Sequence, residues 1–138
     1  MNPAAPPDRL VAGRPLAEHW NGTAWSNVAV PVPAGAGQAS FSGVDDLSAS
    51  SAWTVGSWEE PGSTMQQTLI QHWNGTAWSI VPSPNPGGTT SGSNDELSAI
   101  AGTGPDDLWA AGSFDIGGEF NAVLLEHWNG TAWTQLTP

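Results

Sequence analysis

The chain has 138 residues, with 17 Gly and 12 Pro, no Cys, and 13 acidic against 2 basic residues, for a formal net charge of −11. That charge repels nucleic acid and anionic membrane surfaces, and the absence of Cys excludes disulfide scaffolds and thiolate metal centres. About a fifth of the chain is Gly or Pro, which suits a turn-rich all-β protein, and no apolar run approaches the ~18 residues of a membrane span.

The N-terminal stretch MNPAAPPDRL has no apolar h-region, so no signal peptide is visible. A degenerate apolar word, RLVAGR, follows at Arg9–Arg14, and then comes PLAEHW and the string WNGTAW at Trp20–Trp25. WNGTAW recurs at Trp73–Trp78 and Trp128–Trp133, each time preceded by His, at His19, His72 and His127. The matching upstream words are AWTVGS at Ala52–Ser57 and LWAAGS at Leu108–Ser113, and aligning Trp53 on Trp109 brings FSGV onto LSAI. Each repeat of about fifty-four residues therefore has four apolar segments, a to d, bounded by Gly, Pro, Asn or Asp. Segments of this length and punctuation read as strands. The Asn-Gly between c and d is a hairpin signal, and a type I′ turn with φ > 0 at both residues is expected. Pro-rich stretches after segment d, VPVPAGAG and VPSPNPGG, cannot continue a central strand and read as the return to the next repeat.

Four antiparallel strands with such a return describe a β-propeller blade. The order LWAAGS, VLLEHW, NGT, AW, TQLTP also resembles a kelch-type repeat, with Gly56-Ser57 and Gly112-Ser113 where kelch repeats carry Gly-Gly. The WNGTAW form looks closer to bacterial tandem propeller repeats, and the resemblance implies the fold without an activity. The expected architecture is all-β, about three blades: an incomplete one over 1–33 (strands b, c, d), a second over 34–84 and a third over 85–138. An open stack leaves apolar faces at both ends, so association with itself, as a dimer closing about six blades, or with further blades of a longer chain is expected.

Eight of the nine Trp occupy strands and are expected in the packing between blades, Trp53 and Trp109 at its centre. The three His share one repeat position, so they cannot converge on one metal ion, and are read as structural, bonded to neighbouring backbone. Adjacent carboxylates such as Asp45-Asp46 and Asp106-Asp107 point to opposite sides of a strand and make no glycosidase pair by themselves. Gly22-Thr23-Ala24-Trp25 matches the tail of a sialidase-type turn, but Trp20 stands where its Asp belongs, which counts against that reading. No calcium loop, P-loop or nucleophile elbow occurs. Asn21, Asn74 and Asn129 head sequons, but the hairpin explains them.

The b–c loops vary between copies, at Trp58–Thr64 and Phe114–Phe120, while the c–d turns do not. Variable loops on a fixed scaffold suit a contact surface, which selects Trp58, Glu59, Glu60, Phe114 and Asp115 as ligand-binding candidates. The expected function is a non-catalytic binding module for protein or glycan, extracellular or at a cell surface, needing no cofactor and no metal. The alternatives are a fragment of a propeller enzyme such as a glycoside hydrolase, or a self-assembling structural repeat without ligand.

Overall fold

A computed structural model describes residues 14–89, 92–115 and 121–137. The described residues form ten β-strands and no helix. In chain order they are β1 (Ala17–Trp20), β2 (Trp25–Val28), β3 (Gln38–Ser48), β4 (Ser51–Glu59), β5 (Gln66–Trp73), β6 (Trp78–Val81), β7 (Asn94–Gly104), β8 (Asp107–Asp115), β9 (Ala122–Trp128) and β10 (Trp133–Leu136). The protein is all-β. β3–β6 and β7–β10 are two four-stranded antiparallel meanders, each strand paired with the next. β1 and β2 form a separate hairpin. Of the expected first-unit strand b, Arg9–Arg14, all but Arg14 lies outside the described residues.

The first strand of each meander is longer than its sequence signature. β3 and β7 run for 11 residues each. Register shifts at Phe41/Gly43 and Asp46/Ser48 recur at Leu97/Ala99 and Gly102/Gly104, so two bulges extend the pairing past the polar and Gly positions that break the apolar pattern. The Gly of the second word is required by this approach. A Cβ on Gly56 would overlap the carbonyl oxygen of Ser40 and lie 2.9 Å from the Phe41 Cα. One on Gly112 would overlap the carbonyl of Glu96 and lie 2.8 Å from the Leu97 Cα.

The hairpins between the third and fourth strands correct one expectation. Among the described residues no non-glycine has positive φ, so Asn21, Asn74 and Asn129 are not in a type I′ turn. Four residues separate the paired Trp73 and Trp78. Asn74 Oδ1 accepts the backbone N–H groups of Thr76 and Ala77, both at 2.9 Å, and only Gly75 takes a left-handed φ, of 98°. The Asn side chain does locally what a second left-handed residue would have done. The other two copies repeat the pattern.

Trp73 and Trp128 close the third strands and donate their indole N–H to the carbonyls of Ala49 (3.3 Å) and Pro105 (3.1 Å). This ties the c–d hairpin to the a–b turn at one edge. At the opposite edge Gly37 N–H donates to the Glu59 carbonyl at 2.8 Å, tying the d–a connection to the end of β4.

The two meanders are not one continuous sheet in any substantial sense. A single parallel pair, Gln66↔Asn94, joins them. They stack face to face, and the core lies between them: Trp53, Val55 and Ile70 from one, Leu97, Leu108, Ala110, Leu124 and Trp133 from the other. Period-2 alternation puts these residues on facing sides of their strands.

Candidate functional site

Three places gather chemistry-bearing side chains. The first is the expected rim. Trp58 and Glu59 are not loop residues: both belong to β4, where Trp58 pairs with Ala39 and Gln67, and Glu59 with Gln38 and Gln66. The strand continues two residues past AWTVGS because β3 is long enough to pair with it. Glu60 is exposed in the loop beyond. Phe114 and Asp115 end β8; Phe114 is half-buried against the core, and Asp115 is buried and accepts a hydrogen bond from Asn94 at 3.3 Å. The loop 116–120 lies outside the described residues. Beside Trp58, Gln38, Ser40, Ser57 and Gln66 enclose about 90 Å³, less than the ~300–1,000 Å³ of ordinary ligand pockets.

The second place is an aromatic groove between the β1–β2 hairpin and β3–β5. It encloses about 540 Å³, with Trp20, Trp25, Trp73 and Trp78 on its walls and Glu18 and Asp46 at its edge. His19 lies over Trp73 with ring centroids 5.6 Å apart. Trp20 and Trp25 stack on each other at 5.7 Å and remain 48% and 65% exposed. The sequence marks these residues as packing between repeat units, and their counterparts Trp128 and Trp133 in the third unit do pack against Trp53 of the second. Trp109, expected in the core, is likewise 42% exposed. Its own unit supplies only one face of the contact that a core Trp needs.

The third place is a set of carboxyl groups between the two meanders. Asp95 and Glu126 are both wholly buried, and Asp115 nearly so. Asp95 Oδ1 accepts the Gly87 N–H at 2.7 Å, but its Oδ2 and both Glu126 oxygens are buried without a hydrogen-bond partner. Burial, reinforced by the nearby Asp95 charge, pushes the Glu126 carboxyl up to about 8. Burial also raises Asp95, opposed by the Gly87 N–H and aided by Asp115. A neutral carboxylic acid beside a carboxylate is the arrangement that general acids use, but it acts only where a substrate can reach it. Glu126 is sealed inside the stack. Its repeat counterpart shows what the position does structurally: Gln71 is also wholly buried and donates its amide to the Pro31 carbonyl at 2.6 Å.

The His residues are dispersed, as their repeat spacing requires. His72 and His127 lie directly across from Trp53 and Trp109 and stack on them at 4.4 and 4.5 Å. Their Nε2 atoms bond to side chains rather than to backbone: Ser51 Oγ at 3.1 Å and Asp107 Oδ1 at 2.7 Å. Burial lowers His72, and hydrogen bonds from Thr103 and His127 lower Asp107. Among the described residues no group of three His, Asp or Glu is arranged to hold a metal ion. The sequence contained the signal for the aromatic groove, since Trp20 and Trp25 belong to the repeated word. It did not say which copies of that word would be left uncovered.

Comparison with protein-family models, curated proteins and solved structures returns no match to this chain.

Proposed function

We propose that the chain is a non-catalytic interaction module built from propeller-type blades that resemble kelch repeats, and that it holds a macromolecular ligand, protein or glycan, against exposed aromatic surfaces. The observation that carries this reading is the stacking of repeat-equivalent units. Trp53 of the second unit meets Trp128 and Trp133 of the third at 4.9 and 5.8 Å, while the innermost pair β3 and β4 packs on β7. Meanders that stack by their faces, with one bridging pair between them, support the blade reading, because blades of a propeller pack on one another in this way. The stack places large aromatic side chains, Trp20, Trp25 and Trp109, at the surface rather than in a core. Exposed aromatic clusters of this kind mark contact surfaces.

A glycan is supported by the groove itself. Its volume of about 540 Å³ is in the range of ligand sites, and Trp faces beside Glu18 and Asp46 offer both stacking and hydrogen-bond acceptors. The rim residues Trp58 and Glu60 remain a second contact surface for a protein partner. The glycoside hydrolase alternative draws less support, because the carboxyl pair with an altered proton affinity, Asp95 and Glu126, is buried between the units.

Two experiments test the reading. Trp133 is 5% exposed at the interface of the units, so Trp133→Ala should lower the stability of the whole domain by about 3–5 kcal/mol in a single cooperative transition. Two independent transitions, or no loss, would mean that the units are not a stack of blades. Titration with soluble oligosaccharides should change Trp emission in the wild type and not in Trp25→Ala. Binding that instead vanishes only in Trp58→Ala would move the contact to the rim.

A further inference from the structure

We infer that the turns between the third and fourth strands of each unit are acceptor sites for N-linked glycan, with Asn74 and Asn129 of the two complete units, and Asn21 of the first hairpin, as the attachment residues. A covalently attached glycan is separate from the ligand proposed above.

Each turn reads Asn-Gly-Thr. In such a triplet the Asn amide nitrogen receives the sugar, and the hydroxyl two residues on is required with it. The hairpin accounts for only part of the triplet. Asn74 Oδ1 accepts the N–H groups of Thr76 and Ala77 at 2.9 Å each, and Asn129 Oδ1 those of Thr131 and Ala132 at 2.8 and 3.0 Å. Gly75 and Gly130 supply left-handed φ values of 98° and 96°. An Asp in place of the Asn would accept the same bonds, and any residue in place of the Thr would donate its backbone N–H. The groups the turn does not use are the Asn Nδ2 and the Thr hydroxyl. Among the described residues neither makes a hydrogen bond in any copy: Asn21, Asn74 and Asn129 bond through Oδ1 alone, and Thr23, Thr76 and Thr131 through the backbone alone. Elsewhere the Thr hydroxyls of Thr54, Thr68 and Thr103 are all engaged. The chain thus repeats, in every turn, the parts of the triplet that glycan transfer needs and the fold does not.

The placement suits an acceptor. All residues of the triplets are exposed. Each turn sits at the tip of a hairpin closed by a stacked Trp pair, with ring centroids 5.7, 5.8 and 5.9 Å apart in chain order. The planar amide that turns its oxygen into the loop directs its nitrogen out of it. In the transfer, Nδ2 attacks the anomeric carbon of an oligosaccharide carried on a lipid pyrophosphate. The C–N bond forms, the anomeric C–O bond breaks, the lipid pyrophosphate leaves with that electron pair, and one amide proton is lost. Oδ1 keeps both of its hydrogen bonds, so the glycan and the turn are compatible. Trp73 and Trp128 tie these turns to one edge of their units through the Ala49 and Pro105 carbonyls. Glycans there clothe that edge and leave Trp58 and Glu60, at the opposite edge, uncovered.

Intact-mass measurement of the full chain, directed into the secretory pathway of a eukaryotic cell line, tests the inference. Glycans should be present at Asn74, Asn129 and Asn21, and peptide N-glycosidase should remove them and leave Asp at each position. Thr76→Ala should strip the glycan from Asn74 alone, and Thr76→Ser should keep it. Both variants should retain the wild-type urea midpoint, because the Thr76 hydroxyl makes no bond in the fold. Thr131→Ala and Thr131→Ser should do the same at Asn129. A chain with no glycan at Asn74 and Asn129, or a Thr76→Ala variant that is still modified at Asn74, would overturn the inference. So would Asp at these positions before any glycosidase treatment, which would mean that the Gly nitrogen had attacked the side chain and expelled ammonia instead. A lowered urea midpoint in Thr76→Ala would also overturn it, since the hydroxyl would then be explained by the turn.

Discussion

Replacing Glu126 by Gln removes the least comfortable group in the fold. The side chain is wholly buried, neither carboxyl oxygen has a partner, and its proton is held up to about pH 8 against an ordinary value of 4.5. Because the folded-state value is raised, the stability linked to this group is fully present below about pH 4.5 and is lost as pH rises through about 8. At about 1.4 kcal/mol per pH unit, the cost to the wild type grows from about 1 kcal/mol at pH 5 to about 4 kcal/mol at pH 8. Gln is nearly isosteric, carries no proton to lose, and is the residue that the second repeat uses in this place, at Gln71. Glu126→Gln should therefore be more stable than wild type by an amount that rises by about 3 kcal/mol between pH 5 and pH 8. With a urea m-value of about 2 kcal/mol/M, that is a midpoint difference growing by about 1.5 M. Comparing the two proteins at each pH cancels the general repulsion among the other acidic groups. A midpoint difference that does not change with pH would refute this reasoning and place Glu126 in contact with water in the folded state.

Gly112→Ala and Gly56→Ala set a Cβ into the backbone of the neighbouring strand, and each should cost at least about 3 kcal/mol or abolish folding, seen as loss of the cooperative thermal transition. Gly75 has a φ of 98° and its Cβ would also lie 3.0 Å from the Ser50 side chain, whereas Gly22 has a φ of 97° and open space. Gly75→Val should thus cost about 2 kcal/mol and Gly22→Val about 1 kcal/mol, with equal urea midpoints refuting the difference. Asn129→Ala loses two Asx hydrogen bonds at 2.8 and 3.0 Å and should cost about 1–2 kcal/mol, while Asn129→Asp, which keeps the acceptor, should cost less than half of that by the same urea midpoints.

The sequence by itself determined the all-β class, the two complete four-stranded units and the places of their strands. It could do so because the short apolar words, their Gly and Pro boundaries and the Asn-Gly turns are local signals, repeated with one spacing. It also determined that the His residues would not converge, since positions one repeat apart are held on different sheets. Tertiary structure decided the rest. Whether a Trp is core or surface depends on what lies on its far side: Trp53 and Trp109 occupy the same position in the same word, yet one is sealed by the following unit and the other is open. The Asn of each turn was legible as a turn former, but its φ was decided by a side-chain hydrogen bond that competes with the left-handed backbone. Trp58 and Glu59 looked like loop residues because the repeated word stops before them; the bulged, 11-residue β3 pairs past that point and draws them into the sheet. Glu126 showed no sign of its altered chemistry in the sequence, where it is one carboxylate among 13 acidic residues. Its raised proton affinity comes from the stacking of two sheets around it, a contact between residues far apart in the chain, and no local pattern records that.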